Sequence, residues 1–282
     1  MSASAVHTLG MLEAPRIGRT QGGLAYEIAG RGDPIVLVHS GLTDRRMWDP
    51  QWGAFAGAGL VVRYDARGYG ESLPPAGAWS HHADLIALLD ELGISRALVI
   101  GASMGAGIAV EVALARPRMV GALLLSAPGG ALLGEAGDSL RAIWHDEVDA
   151  LDRGDLDGAV EVNLRAWVDG PSRSPDQVDP EMRAFVGRMQ RDAFELPDWD
   201  ADGAPESELT PAAVSRLAEI ACPTLALVGE LDQPATIEAA NRVAGDVAEA
   251  RLEVWPDVAH LPSLERPADF ERLALDFFAT RR

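Results

Sequence analysis

Short apolar runs alternate with stretches of helical periodicity along most of this chain. Residues 35–38 (Ile-Val-Leu-Val), 60–64, 97–100, 122–125, 224–228 and 252–255 each read as a strand, and 24–29 as an earlier one. Most of them are apolar throughout, as expected of strands covered by helices on both sheet faces. Between them, Leu85, Leu88, Leu89 and Leu92 recur at helical spacing over 84–92, and Gly93 stops the helix. Further helices are predicted over 106–116, ended by Pro117, and over 236–244 and 267–280. Strands alternating with helices predict βαβ units and a mostly parallel sheet flanked by helices.

The alternation breaks between Gly129 and about Thr210, where no strand candidate occurs. Leu140, Ile143, Trp144, Val148 and Leu151 form one apolar stripe. Val160, Leu164, Trp167 and Val168 form a second, and Met182, Phe185, Val186 and Met189 a third. The expected organisation is a core of residues 1–128 and 211–282 with a helical insertion over 129–210. The acidic, proline-containing segment 196–205 reads as a loop. An insertion of this kind is either packed satellite structure or a lid over a pocket.

Composition narrows the class. A chain of 282 residues with 48% hydrophobic and 24% charged residues has room for a large core in one α/β domain or two small ones. No apolar run approaches the ~18 residues of a membrane span. Positions 1–10 lack a positive n-region and an apolar h-region, so no signal peptide is expected. The single cysteine, Cys222, cannot form an intrachain disulfide, and a cytoplasmic location is expected. The net charge of −19 repels phosphate backbones, so no nucleic-acid partner is expected. All 24 basic residues are arginine. The absence of lysine excludes a Walker-type phosphate loop, a pyridoxal-phosphate enzyme and a Schiff-base aldolase.

The most informative stretch is Gly101-Ala102-Ser103-Met104-Gly105, between an apolar run and a helix-forming run. Strand, sharp turn and helix is the setting in which G-x-S-x-G forms a nucleophile elbow. With 29 glycines and 14 serines in 282 residues, chance alone supplies about 0.15 such matches, so the pattern needs a base and an acid to carry meaning. Of six histidines, His7 lies in the N-terminal tail, His81 and His82 begin what reads as a surface helix, and His145 lies in the insertion. His39 ends the third strand and is read as bracing its loop. His260 follows the last strand, where a loop can carry it over the carboxyl edge of the sheet on which the serine turn opens. Asp232, in Val228-Gly229-Glu230-Leu231-Asp232, supplies an orienting carboxylate, with Glu230 as its competitor. Asp257 shares the histidine loop and is read as capping it. The chain order is then nucleophile, acid, base: Ser103, Asp232, His260.

An acyl-transfer site also needs donors for a developing oxyanion. The N–H of Met104 is one candidate. Gly41, in the loop His39-Ser40-Gly41-Leu42, is the other, with Leu42 as the alternative. Leu42, Trp144, Trp167, Phe185 and Leu261 are candidates for the substrate-pocket wall. No metal is expected, since neither H-E-x-x-H nor paired-ligand spacing occurs. No dinucleotide is expected either, because the first βα turn lacks G-x-G-x-x-G.

Together, His39-Ser40-Gly41, Asp65-x-Arg67-Gly68-x-Gly70-x-Ser72, Gly101-x-Ser103-Met104-Gly105, Gly229-x-x-Asp232 and Ala259-His260 resemble the α/β-hydrolase superfamily from about Gly22 to the C-terminus. The run 39–48, with Asp44 and Met47-Trp48, is similar to the subgroup of 3-oxoadipate enol-lactonases, small esterases and cofactor-free haloperoxidases. Ser40 departs from the glycine that many members carry there. The resemblance implies a mostly parallel eight-stranded sheet with a helical lid after the sixth strand, and structural roles for Asp65 and Arg67. It implies catalysis without a cofactor on a small-molecule substrate. Relatives that open epoxides or displace halide carry aspartate at the nucleophile position, so Ser103 points to ester or lactone hydrolysis. Hydrolytic C–C cleavage of a diketone-like substrate is the alternative, and a triad-retaining binding protein is a further one.

Overall fold

A computed structural model describes residues 15–75, 77–135, 137–197 and 206–279. The expectations for positions 1–10 with His7, for 198–205 of the acidic loop and for Thr280 lie outside the described residues. Eight strands form one sheet: β1 Arg16–Arg19, β2 Ala25–Ala29, β3 Pro34–Val38, β4 Leu60–Tyr64, β5 Ala97–Ala102, β6 Val120–Ser126, β7 Thr224–Gly229 and β8 Ala250–Trp255. Their order is β1-β2-β4-β3-β5-β6-β7-β8. The β1–β2 and β2–β4 pairings are antiparallel, and every pairing from β4 to β8 is parallel.

The helices are α1 Asp49–Ala58, α2 His81–Glu91, α3 Met104–Ala115, α4 Asp138–Asp152, α5 Leu156–Asn163, α6 Pro180–Phe194, α7 Pro234–Asp246, α8 Pro262–Glu265 and α9 Pro267–Ala279. Among the described residues no helix is long and apolar enough to cross a membrane. Strand β1 carries no hydrophobic run, and its four residues are mostly exposed; backbone pairing with β2 alone makes it a strand. Helix α1 contains Gly53 and Gly57, which mask it from propensity. It is held by Phe55 and Trp48, both fully buried. Helix α2 starts three residues earlier than its leucine pattern, because Ser80 caps it by accepting from the Ala83 N–H.

Strands β5, β6 and β7 at the centre of the sheet are buried on both faces. On one face, Val36, Val99, Leu123 and Val228 pack with Leu85 and Leu88 of α2, α3 and Val243 of α7. On the other, Ile35, Leu98, Leu124 and Leu227 pack with Phe55 of α1 and Phe270, Phe277 and Phe278 of α9. This second core continues into the segment between β6 and β7 through Val160, Leu164, Val168, Val186 and Met189. The second and third predicted stripes therefore face inward.

The first stripe does not behave as its spacing suggests. In α4 only Leu140 and Ala150 are buried, while Trp144 is 44% and Val148 52% exposed. Helix α4 packs beside α5, one layer out from the sheet, and its amphipathic face looks largely outward.

Candidate active site

Ser103 joins β5 to α3 at φ 51°, ψ −116°, a left-handed conformation that costs a non-glycine residue energy. The turn is that tight because strand and helix nearly touch. A Cβ on Gly101 would lie 2.2 Å from the Gly105 carbonyl oxygen, and one on Gly105 would lie 2.4 Å from that of Val38. Only hydrogen fits at either place. The serine side chain is thereby lifted clear of the backbone at the carboxyl edge of the sheet.

Asp232 follows β7, and His260 lies in the loop between β8 and α8. Ser103 Oγ is 2.8 Å from His260 Nε2. His260 Nδ1 is 2.9 Å from both carboxylate oxygens of Asp232. An imidazole that donates from Nδ1 to the carboxylate presents the Nε2 lone pair to the serine hydroxyl. Asp232 and His260 are buried and Ser103 is partly accessible. Asp232 also accepts the Gln233 backbone N–H at 2.6 Å. Glu230 and Asp257 are solvent-exposed, and neither contacts the imidazole among the described interactions.

The loop after β3 comes alongside the start of α3. A Cβ on Gly41 would lie 3.7 Å from Met104 Cβ and 3.4 Å from Tyr69 Oη. Met104 opens α3, so its N–H is a first-turn donor with no intrahelical acceptor. The Leu42 N–H reaches Ser40 Oγ at a long 3.4 Å, and Ser40 Oγ is within 2.9 Å of Thr43 Oγ1. The serine at position 40 thus braces its own loop. His39 is fully buried, with Nδ1 2.8 Å from Ser40 O and Nε2 accepting the Ala66 N–H at 2.9 Å. Burial pushes its pKa below the usual histidine range. Asp65 accepts the backbone N–H groups of Arg45 and Glu71. Arg67 pairs with Asp84 and donates to Leu73 O and Gly22 O. All three side chains hold loops.

The pocket-wall candidates separate. The Trp167 ring stands 4.5 Å from the His260 ring, tilted by 46°. Leu42 and Leu261 are buried in the second core, and Phe185 packs partly against it with the Arg188 guanidinium 5.8 Å above its ring. Trp144 belongs to the outward face of α4 and corrects the expectation for that residue: amphipathic spacing is shared by helices that face a pocket and helices that face water. His81 is another correction, since it is buried rather than on the surface.

Beyond Trp167, several residues beside Ser103, Asp232 and His260 had little signal in the sequence. Trp167 lies in a π-helical segment, Leu164–Asp169, that continues α5. That segment is tied to the loops carrying Asp232 and His260 from several directions. Gln233 Nε2 donates to Ala166 O at 2.7 Å. At Gly170, φ 75°, a Cβ would lie 2.5 Å from Leu231 O and 3.2 Å from Ala259 Cβ. Arg173 donates to Asp169 O and Val168 O, both at 2.8 Å, and pairs with Glu265 at 2.8 Å. Glu265 in turn accepts the Ala259 N–H, next to His260, at 2.9 Å. Burial raises the Glu265 pKa despite Arg173 beside it. Beyond β6, Gly129 donates its N–H to Ser103 O at 3.2 Å. The only sequence signals for this group were Gln233 beside Asp232 and the two glycines.

A doubly wound, mostly parallel sheet with a serine at the strand–helix elbow and an imidazole and carboxylate at the same edge is the architecture of the α/β hydrolases. The chain belongs to the alpha/beta hydrolase family, whose model matches residues 35–273. BpoC of Mycobacterium tuberculosis, which carries the name of a non-heme bromoperoxidase, is 30% identical over 280 residues, covering 91% of this chain and 98% of that one. The 2-hydroxy-6-oxo-6-phenylhexa-2,4-dienoate hydrolase of Comamonas testosteroni is 27% identical over 91% of each chain. Among solved structures, the N-acyl homoserine lactone degrading enzyme Est816 superposes with a TM-score of 0.72 at 29% identity, covering 93% of this chain and all of that one.

Proposed function

We propose that this chain is a serine hydrolase that cleaves a small-molecule carboxylic ester or lactone through an acyl-enzyme on Ser103. The observation that carries the reading is the unbroken chain of hydrogen bonds from Ser103 Oγ through His260 to Asp232. His260 takes the hydroxyl proton as Oγ attacks the carbonyl carbon. Asp232 holds the tautomer and stabilises the imidazolium. The Gly41 and Met104 N–H groups receive the oxyanion. His260 then returns its proton to the leaving oxygen, and the acyl-enzyme forms. Water attacks the acyl-enzyme with His260 again as base, and Ser103 is regenerated. No step calls for a cofactor.

Residues 129–210 act in this reading as a lid over a core of 1–128 and 211–282, with the Trp167 ring of the insertion 4.5 Å from the imidazole ring. Likeness to a lactone-degrading enzyme at 29% identity favours this acyl chemistry. C–C hydrolysis of a diketone-like substrate is the second reading, favoured by the Comamonas relative; the same three side chains serve both. The test is labelling with a fluorophosphonate, followed by turnover of an ester, lactone and diketone panel. Labelling at Ser103 with ester or lactone turnover is the expected result. An unlabelled protein that turns over none of the panel would overturn the reading.

A further inference from the structure

The loop that carries His260 is held by a side chain from the helix that follows it. Glu265, the last residue of the short α8, turns its carboxylate back to that loop. Its Oε1 accepts the Ala259 N–H at 2.9 Å, and the backbone N–H of Leu261 bears on the same carboxylate. The peptides on both sides of the proposed base therefore answer to one buried group. The other oxygen, Oε2, takes the Arg173 guanidinium at 2.8 Å, and neither side chain is more than 13% exposed.

Arg173 comes from the insertion, and the rest of its fork is spent there. Nε donates to Asp169 O and Nη2 to Val168 O, both at 2.8 Å. These are the last two carbonyls of the π-helical segment, and a helix end leaves such groups without intrahelical partners. The residue just before them is Trp167, whose ring stands 4.5 Å from the His260 ring. One planar guanidinium thus joins two supports of the imidazole: the segment that brings the indole against its ring, and the carboxylate that holds its backbone. An ammonium lacks the fixed fork that reaches all three acceptors. Asp169, fully buried, anchors the same segment to Arg183 of α6 at 2.9 Å. The Leu231 N–H donates to Val258 O at 2.9 Å, so the loop carrying Asp232 is tied to the loop carrying His260. An ion pair that only fastened the insertion could end anywhere on the core. This one ends on the two peptides that flank the base.

We propose that Arg173 and Glu265 are positioning residues for His260, acting with Trp167 as one unit that aims Nε2 at the Ser103 hydroxyl. The insertion is then part of what places the base, and not only a cover. The inference rests on the serine-hydrolase reading above. Misplacing a reacting group by about 1 Å costs on the order of 10²-fold in rate, so slight slack in this frame is visible in kcat.

The test is the hydrolysis of p-nitrophenyl acetate by variants of the full chain. Arg173→Lys keeps a cation for Glu265 without the fork, and Glu265→Gln keeps an acceptor for Ala259 without the charge. Each is expected to lower kcat about tenfold and to leave KM within about twofold, in protein that circular dichroism shows to be folded at the assay temperature. Trp167→Ala is expected to do the same, and Trp167→Phe to keep at least about a third of the wild-type kcat. Because the three side chains act as one unit, Arg173→Lys combined with Trp167→Ala is expected to lose clearly less than the roughly hundredfold product of the single losses. The downfield proton NMR signal of the His260 Nδ1–H bonded to Asp232, recognised by its loss in His260→Gln, supplies a readout that needs no turnover. It is expected to exchange with water about fivefold faster in Arg173→Lys and Glu265→Gln. Unchanged kcat and unchanged exchange in both variants would show that the ion pair only fastens the insertion, and would overturn the proposal; so would losses that multiply in full in the double variant. If Ser103→Ala still hydrolyses the ester, the serine reading falls, and the proton exchange decides the positioning role by itself.

Discussion

The insertion between β6 and β7 meets the sheet edge in two unlike ways. At the histidine side it is clamped. The π-helical segment with Trp167 is pinned by Gln233, by the close seat of Gly170 on Leu231 and by Arg173 reaching Glu265. At the Tyr69 side the insertion stands off, and a cleft separates Leu151 and Phe194 from the loop after β4. The insertion is thus rigidly coupled to the imidazole at one side and leaves room at the other. The contrast matches the unlike demands of the proposed chemistry: reacting side chains need sub-ångström placement, whereas the far arm of a substrate needs only space and compatible charge.

The comparison can be broken most forcefully at its pivot. Ser103→Ala is expected to cut turnover roughly 10⁴- to 10⁶-fold with an unchanged melting profile; steady-state kinetics and circular dichroism check both halves. Next comes the clamp. Arg173→Ala leaves Glu265 buried without its cation, and stability is expected to fall by about 3 kcal/mol in denaturant titration. The kcat for every substrate should fall with it, because Glu265 holds the backbone beside His260. A loss in KM alone would show that the clamp belongs to substrate binding instead.

The open side has its own signature in pH. The folded pKa of His81 lies near 4 and its ordinary value near 6.5, so protonation favours the unfolded chain. Its contribution is present in full above pH 6.5 and is lost as pH falls towards 4. Glu206, 3.7 Å away and over a third exposed, is too distant and too wet to reverse this. The wild type is expected to lose about 3 kcal/mol more than His81→Gln between pH 7 and 4, measured by urea titration at each pH. Trp167→Ala should lower kcat about tenfold for long and short esters alike. Last, Trp144→Ser on the outward face of α4 should change stability by less than about 0.5 kcal/mol; a larger loss would mean that this face is covered.

Much of the framework was readable along the chain, since strands buried on both faces must be apolar whatever surrounds them. Apolar runs marked seven strands, the only partly buried β2 and β8 among them, and none marked β1, whose only cause is a backbone pairing with β2. It also missed α1, where two glycines hide a helix that Trp48 and Phe55 anchor. Ser103, Asp232 and His260 could be named because each sits at, or within a few residues of, the carboxyl end of a strand, and strand ends in a parallel sheet converge on one edge. Trp144 shows the limit of periodicity, which reports that a face is apolar but not what it meets.

By itself, then, the order of residues determined the sheet, the elbow and which three side chains could meet, because these depend on local pattern and on the topology of strand ends. Only the tertiary structure decided that Trp167 lies against the imidazole, that Arg173 ties the insertion to its loop and that Tyr69 lines a cleft. Those contacts join residues from separate elements, and their distances depend on how whole helices pack, which no local spacing encodes.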